Sequence, residues 1–130
     1  MTFAHATLAT RDVRATSQFF VDTLGWTPIE KPGNIDVRAA WLKIGQGQEL
    51  HLLQIDDFAP SEHEAEFGRH IAVFYPGDQF GSLKQRLSDA GAELIPAKRP
   101  TPFQRFFFRE SNGYVFEVID QQGYENSEGR

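Results

Sequence analysis

The chain carries its own repeat. Asp12 and Asp78, Gly25 and Gly91, and Gly47 and Gly113 each stand 66 residues apart. His51 and Glu117 keep the same spacing, and His5 and His70 are 65 apart. A fixed period of this length is the mark of a duplicated structural unit. It divides the sequence into a first module over residues 1–58, a linker over 59–67, a second module over 68–121 and a tail over 122–130. Each module contributes one side chain of metal-ligand type near its start and one near its end. Four such groups at equivalent places point to a shared site as well as to an architecture.

Length and composition set the outer bounds. With 130 residues the chain is expected to be one domain, 1–130, built from the two modules. It has 12 Phe, which suits a packed sheet or an aromatic-lined pocket, and no Cys, which excludes disulfides, thiolate zinc sites and thiol catalysis. The opening Met1-Thr2-Phe3-Ala4-His5 has no basic stretch followed by an apolar run, so no signal peptide is read and a cytoplasmic location is expected. No segment approaches the ~18–20 apolar residues of a membrane span. The formal net charge is −5 and the basic residues are scattered, so a nucleic-acid partner is not expected.

The local pattern is the same in both modules. Residues 3–9 read as a strand, Asp12 as a helix N-cap, and Val13, Thr16, Phe20 and Leu24 as one helix face closed by Gly25. Strands follow at 26–31, 37–44 and 49–55; Pro28 marks the first of these as an edge or a bulge. The segment 56–68 is polar and acidic and reads as a linker, with His63 on its surface. Strand, helix and three strands then recur: 69–75, a helix bearing Phe80, Leu83, Leu87 and Ala90 and closed by Gly91, then 92–96, 103–109 and 114–120. The tail from Gln121 is polar and expected to fray. The predicted class is α+β: two βαβββ modules in tandem, forming curved mixed sheets around a central cleft with helices on the outer face.

Strand side chains alternate between faces. His51 lies between Leu50 and Leu52, Glu117 between Phe116 and Val118, and His5 between Ala4 and Ala6; His70 is followed by Ile71. The apolar neighbours are expected to pack beneath the helices, leaving the four polar groups on the opposite face. Glu117 stands in a strand with no other charge. A buried carboxylate needs a compensating partner, either a cation such as Arg105 or Arg38, or a metal ion. Three imidazoles and a carboxylate suit a borderline divalent ion, with Zn, Ni, Fe, Mn and Co all compatible. Trp41, Phe107, Arg38 and Arg105 are the candidate substrate contacts. The aromatics read first as core, and the arginines either as solvated or as holding a carboxylate through paired hydrogen bonds.

These modules resemble the vicinal oxygen chelate superfamily, which includes glyoxalase I, extradiol dioxygenases, methylmalonyl-CoA epimerase, and fosfomycin and bleomycin resistance proteins. The likeness spans residues 3–120. Ser17-Gln-Phe-Phe-Val-Asp-Thr-Leu-Gly25 is similar to the family's Ser-x-x-Phe-Tyr-x-x-x-Leu-Gly helix. Gly47-Gln-Glu-Leu-His51, Arg69-His-Ile-Ala-Val73 and Gly113-Tyr-Val-Phe-Glu117 fall where its ligand strands fall. The resemblance implies metal ligands at His5, His51, His70 and Glu117. Two departures stand out. His51 occupies a place that is usually Glu in glyoxalase I, and Glu110-Ser-Asn-Gly113 replaces the usual Asp-Pro-Asp-Gly turn.

Such a site implies Lewis-acid chemistry on a small substrate with two neighbouring oxygens, of the glyoxalase I lyase or isomerase type, with Glu117 or His51 moving the proton. An Fe(II) extradiol dioxygenase would instead use His5, His70 and Glu117 as a facial triad and keep His51 as acid or base. A metal-free binding protein of the bleomycin-resistance kind is the third expectation. The resemblance also implies a homodimer.

Overall fold

The computed structural model describes residues 2–35 and 37–127; Met1, Asp36 and the end of the expected tail, 128–130, lie outside the described residues. The chain divides into two compact units, one ending at Phe58 and the other starting at Ala59. Each holds one four-stranded mixed sheet, so the α+β class and the tandem βαβββ order are both present.

In the first unit, β1 (His5–Thr10) leads into α1 (Val13–Thr23), β2 (Thr27–Ile29), β3 (Ala39–Gly45) and β4 (Gln48–Gln54). The strand order is β1-β4-β3-β2, with β1 parallel to β4 and the other pairs antiparallel. Asp12 caps α1 as read, its carboxylate accepting from the Ala15 N–H at 3.0 Å. Gly25 ends the helix with φ 75, a conformation that other residues resist. Pro28 lies on the edge strand β2, level with Leu42 of β3, in the kind of strand that tolerates proline. α1 packs on β3 and β4, where Val13, Phe20 and Leu24 of the helix side are buried along with Leu42, Leu50 and Leu52 of the strands. Full burial of a side chain such as Phe20 contributes about 2–3 kcal/mol.

The second unit runs β5 (Ile71–Tyr75), a 3-10 turn (Gly77–Gln79), α2 (Phe80–Asp89), β6 (Glu93–Pro96), β7 (Arg105–Arg109), β8 (Val115–Asp120) and α3 (Gln121–Asn126). Its order, β5-β8-β7-β6, repeats the first, again with one parallel pair. Phe80, Leu83 and Leu87 of α2 are buried, as are Phe106, Phe108, Phe116 and Val118 of the sheet; Phe80 meets Phe106 edge to face with centroids 5.1 Å apart.

Four expectations are corrected. Residues 121–126 form a helix instead of a frayed tail, because Tyr124 packs its ring against Phe74 and Phe103 at 5.2 and 5.3 Å. Ala90 is exposed, so the buried stripe of α2 stops at Leu87. Ala4 and Ala6 are exposed, since β1 is an edge strand and its first residues lie beyond the reach of α1. The linker is not uniformly solvated: Glu64 is buried, and its carboxylate takes the Arg69 guanidinium at 2.6 Å and the Val115 N–H at 2.8 Å. His63 is exposed, as expected, beside Glu62. Among the described residues no helix is long and apolar enough to cross a membrane.

Candidate functional site

Sheet register places the same pair of positions in each unit. In the first, His5 stands opposite Glu49, and His51 lies two residues further along β4. In the second, Ile71 stands opposite Phe116, so His70 falls level with Val115, and Glu117 lies two residues further along β8. A period-two pleat then puts each pair on one face. The neighbours obey the same parity: Leu50, Leu52, Phe116 and Val118 are buried on the helix side.

His51 is the centre of the first unit's pair. Its ring is sandwiched between Trp41, its cross-strand partner, at 3.8 Å and His5 at 4.0 Å, with interplanar angles of 3° and 14°. Nε2 of His51 donates to Glu49 Oε1 at 2.8 Å. His51 is 8% exposed, whereas His5 is exposed. The indole Nε1 of Trp41 is buried and has no hydrogen-bond partner among the described residues.

The second unit's pair is more tightly organised. His70 Nδ1 lies 3.1 Å from the Ala65 carbonyl oxygen, and Nε2 lies 3.1 Å from Glu117 Oε1. A carbonyl oxygen only accepts, so Nδ1 carries the proton. Nε2 of a neutral ring then offers a lone pair to a carboxylate oxygen, which also offers lone pairs. The contact is favourable only with a second proton on the ring, a proton on the acid, or a cation between them. At 3.1 Å the separation is that of a hydrogen bond from a doubly protonated ring, and two ligands of one ion would also fit within it.

Glu117 Oε2 accepts from Arg105 NH1 at 3.0 Å, and Arg105 NH2 donates to Glu66 Oε2 at 2.9 Å and to the Arg99 carbonyl at 2.6 Å. Arg105 is 3% exposed at its side chain and its charge sits 5.3 Å from the Phe107 ring centre. Glu66 also accepts from the backbone N–H groups of Lys98 and Arg99, at 2.7 and 3.0 Å. Burial alone raises the Glu66 carboxyl's pKa. The two backbone donors, then the hydrogen bond and charge of Arg105, outweigh it and lower the pKa from 4.5 to about 2. One guanidinium shared between two carboxylates does not balance both of them.

The expected residues therefore come together in pairs, His5 with His51 and His70 with Glu117. Within each unit the described residues gather no set of three or more His, Asp or Glu fit to hold a metal. Of the candidate substrate contacts, Phe107 is fully buried and serves as core against the edge of His70, at 5.2 Å. Arg105 is committed to Glu66 and Glu117. Arg38 is exposed and lines a groove of about 970 Å³ with Arg11, Arg14 and Lys31. Trp41 is half-buried on His51. Sequence reading missed Glu49 and Glu66. Glu49 carried a signal, since it shares the strand face of His51 two residues away. Glu66 carried only the alternation of acids at 62, 64 and 66.

The sequence matches the family model described as Glyoxalase/Bleomycin resistance protein/Dioxygenase superfamily over residues 2–118. It is 22% identical over 122 residues to "Glyoxylase I 4" of Arabidopsis thaliana, covering 89% of this chain and 68% of that protein. Among solved structures, the fosfomycin resistance protein FosX from Listeria monocytogenes superposes with a TM-score of 0.78 at 16% identity, covering 99% of this chain and 98% of its own. A variant of that protein, complexed with Mn(II) and 1S,2S-dihydroxypropylphosphonic acid, gives a TM-score of 0.75 at 16% identity, with 96% of each chain covered. At such identities the structural likeness establishes the fold.

Proposed function

The chain belongs to the glyoxalase/bleomycin resistance protein/dioxygenase superfamily, and from that premise we propose a metal-dependent enzyme acting on a small substrate with two neighbouring oxygens. The observation that carries this reading is the His70–Glu117 contact. Ala65 fixes the imidazole tautomer, and the remaining nitrogen meets a carboxylate oxygen across a gap that suits a cation. The residual negative charge beside Arg105 supports the same conclusion. The proposed ligands are His70 and Glu117 with His5 and His51, and the ion is Zn, Ni, Fe, Mn or Co. The Mn(II) and vicinal diol bound to the FosX variant support this choice of ion and substrate class.

A divalent ion held by this set would supply a Lewis acid to the two neighbouring oxygens of the substrate. The chain's own residues do the rest. Ala65 orients His70, and Arg105 restrains one oxygen of Glu117 so that the other keeps a fixed direction. The acid–base group is Glu117 or the Glu49-bound His51 once displaced from the ion, which frees a lone pair to take the proton from the substrate carbon and return it to the neighbouring one. That sequence is isomerase or lyase chemistry of the glyoxalase I kind. The proposed assembly is a homodimer, which sedimentation of the purified chain tests.

One observation favours a second reading. The Glu49 carboxylate occupies Nε2 of His51, which fits a site where only His5, His70 and Glu117 ligate Fe(II), as in extradiol dioxygenases. Metal analysis after incubation with Ni(II), Zn(II), Mn(II) and Fe(II) tests the shared premise: a protein that retains none is a metal-free binder and sinks both readings. Solvent deuterium entering a hydroxy-ketone probe supports the isomerase, whereas oxygen uptake with a catechol supports the dioxygenase.

A further inference from the structure

Arg105 presents five N–H donors in a planar fork, and a guanidinium facing a lone carboxylate normally grips both oxygens at once. Here it does not. NH1 reaches only Oε2 of Glu117, because NH2 is held by Glu66 and the Arg99 carbonyl. Glu66 itself has little freedom, since the backbone N–H groups of Lys98 and Arg99 fix both of its oxygens. Both side chains are almost wholly enclosed, Arg105 at 3% and Glu66 at 9% exposure.

We infer that Glu66 is a positioning residue for the ion-binding carboxylate: it draws one arm of Arg105 aside, so that Glu117 keeps Oε1 free to face His70. The inference rests on the metal-binding reading above. Two effects act in the same direction. Geometrically, Glu66 prevents the bidentate grip that would take Oε1 away. Electrostatically, it offsets a guanidinium charge that would otherwise repel a cation at the adjacent oxygens. Glu66 touches neither substrate nor ion in this scheme. It acts through Arg105, as partners behind metal ligands commonly do.

The test is metal affinity without substrate, read by calorimetric titration of the full chain with Mn(II) and with Ni(II). Glu66→Gln keeps the size and an acceptor for the loop but loses the charge. It is expected to weaken binding about 10–100-fold, with the circular dichroism spectrum unchanged. Glu66→Asp, which keeps the charge but withdraws it from the Arg105 arm by one methylene, is expected to weaken binding as well and covers the case in which Glu66→Gln does not fold. Wild-type affinity in either variant overturns the inference while leaving the metal reading intact. If the wild-type chain binds neither ion, the metal reading fails. The positioning claim is then decided in EDTA by a double-mutant cycle of Glu66→Gln and Glu117→Gln on unfolding. Non-additive effects support a Glu66–Arg105–Glu117 linkage, and additive effects overturn it.

Discussion

Glu66 makes a measurable prediction about acid stability. Its carboxyl falls from 4.5 to about 2 on folding. A depressed folded value means that the stabilisation is complete above the unfolded value and disappears as pH falls through the folded one. The shift corresponds to about 3 kcal/mol at neutral pH; the side chain is enclosed, but Lys98 and Arg99, which supply two of its donors, are exposed, and screening there reduces this to about 2 kcal/mol. At about pH 3, between the two values, roughly 1 kcal/mol remains. Urea unfolding of the wild type and of Glu66→Gln, followed at about pH 6 and about pH 3, should show their stability gap narrowing from about 2 to about 1 kcal/mol. Far-ultraviolet circular dichroism is the suitable probe, because both tryptophans, Trp26 and Trp41, lie in the first unit and Glu66 in the second. A gap that stays constant, or widens on acidification, refutes the electrostatic account of this residue.

Replacing Asp12 with Ala removes the α1 cap and should lower the urea midpoint by an amount equal to about 1 kcal/mol. Gly113→Ala forces a Cβ onto a backbone at φ 99, 2.6 Å from Pro60 Cγ; a loss of about 1–3 kcal/mol in chemical denaturation is expected. Phe107→Ala empties a fully buried site and should cost about 3–5 kcal/mol, read as a lowered thermal midpoint. Chelation of a metal-loaded sample should lower the thermal midpoint reversibly, by a stabilisation of about 3 kcal/mol when free ion was at a hundredfold its dissociation constant. No change in midpoint would argue against bound metal.

Local chemistry was legible in the sequence where it acts through neighbours. Asp12 followed by an apolar helix face announced a cap, and Gly25 and Gly91 announced helix ends. Pro28 announced an edge strand. Parity along β4 and β8 correctly separated Leu50 and Leu52 from His51, and Phe116 and Val118 from Glu117. What failed to show were contacts made at long range. Glu64 and Glu66 looked like solvated linker acids, because the partners that enclose them, Val115 for Glu64 and Arg99 and Arg105 for Glu66, lie dozens of residues away, although Arg69 is a near neighbour of Glu64. The polar run from Gln121 gave no helix signal, since one ring, Tyr124, anchors it. Arg105 and Arg38 looked alike on paper. Only the folded chain separates an enclosed arginine gripping Glu117 from one that lies open.

The pleat also limits how such chains can change length. One residue inserted within β4 or β8 ahead of His51 or Glu117 would invert the strand, driving an imidazole or an acid beneath the helix and expelling a leucine or phenylalanine. Insertions are tolerable only where no parity is enforced, chiefly between the second and third strands of each sheet, and in the second unit only where they leave Lys98, Arg99 and Phe103 in place, since these hold Glu66, Arg105 and Tyr124. Descendants of this duplication can therefore vary their reach toward different molecules by growing or trimming those two spans, while the donor frame stays in phase.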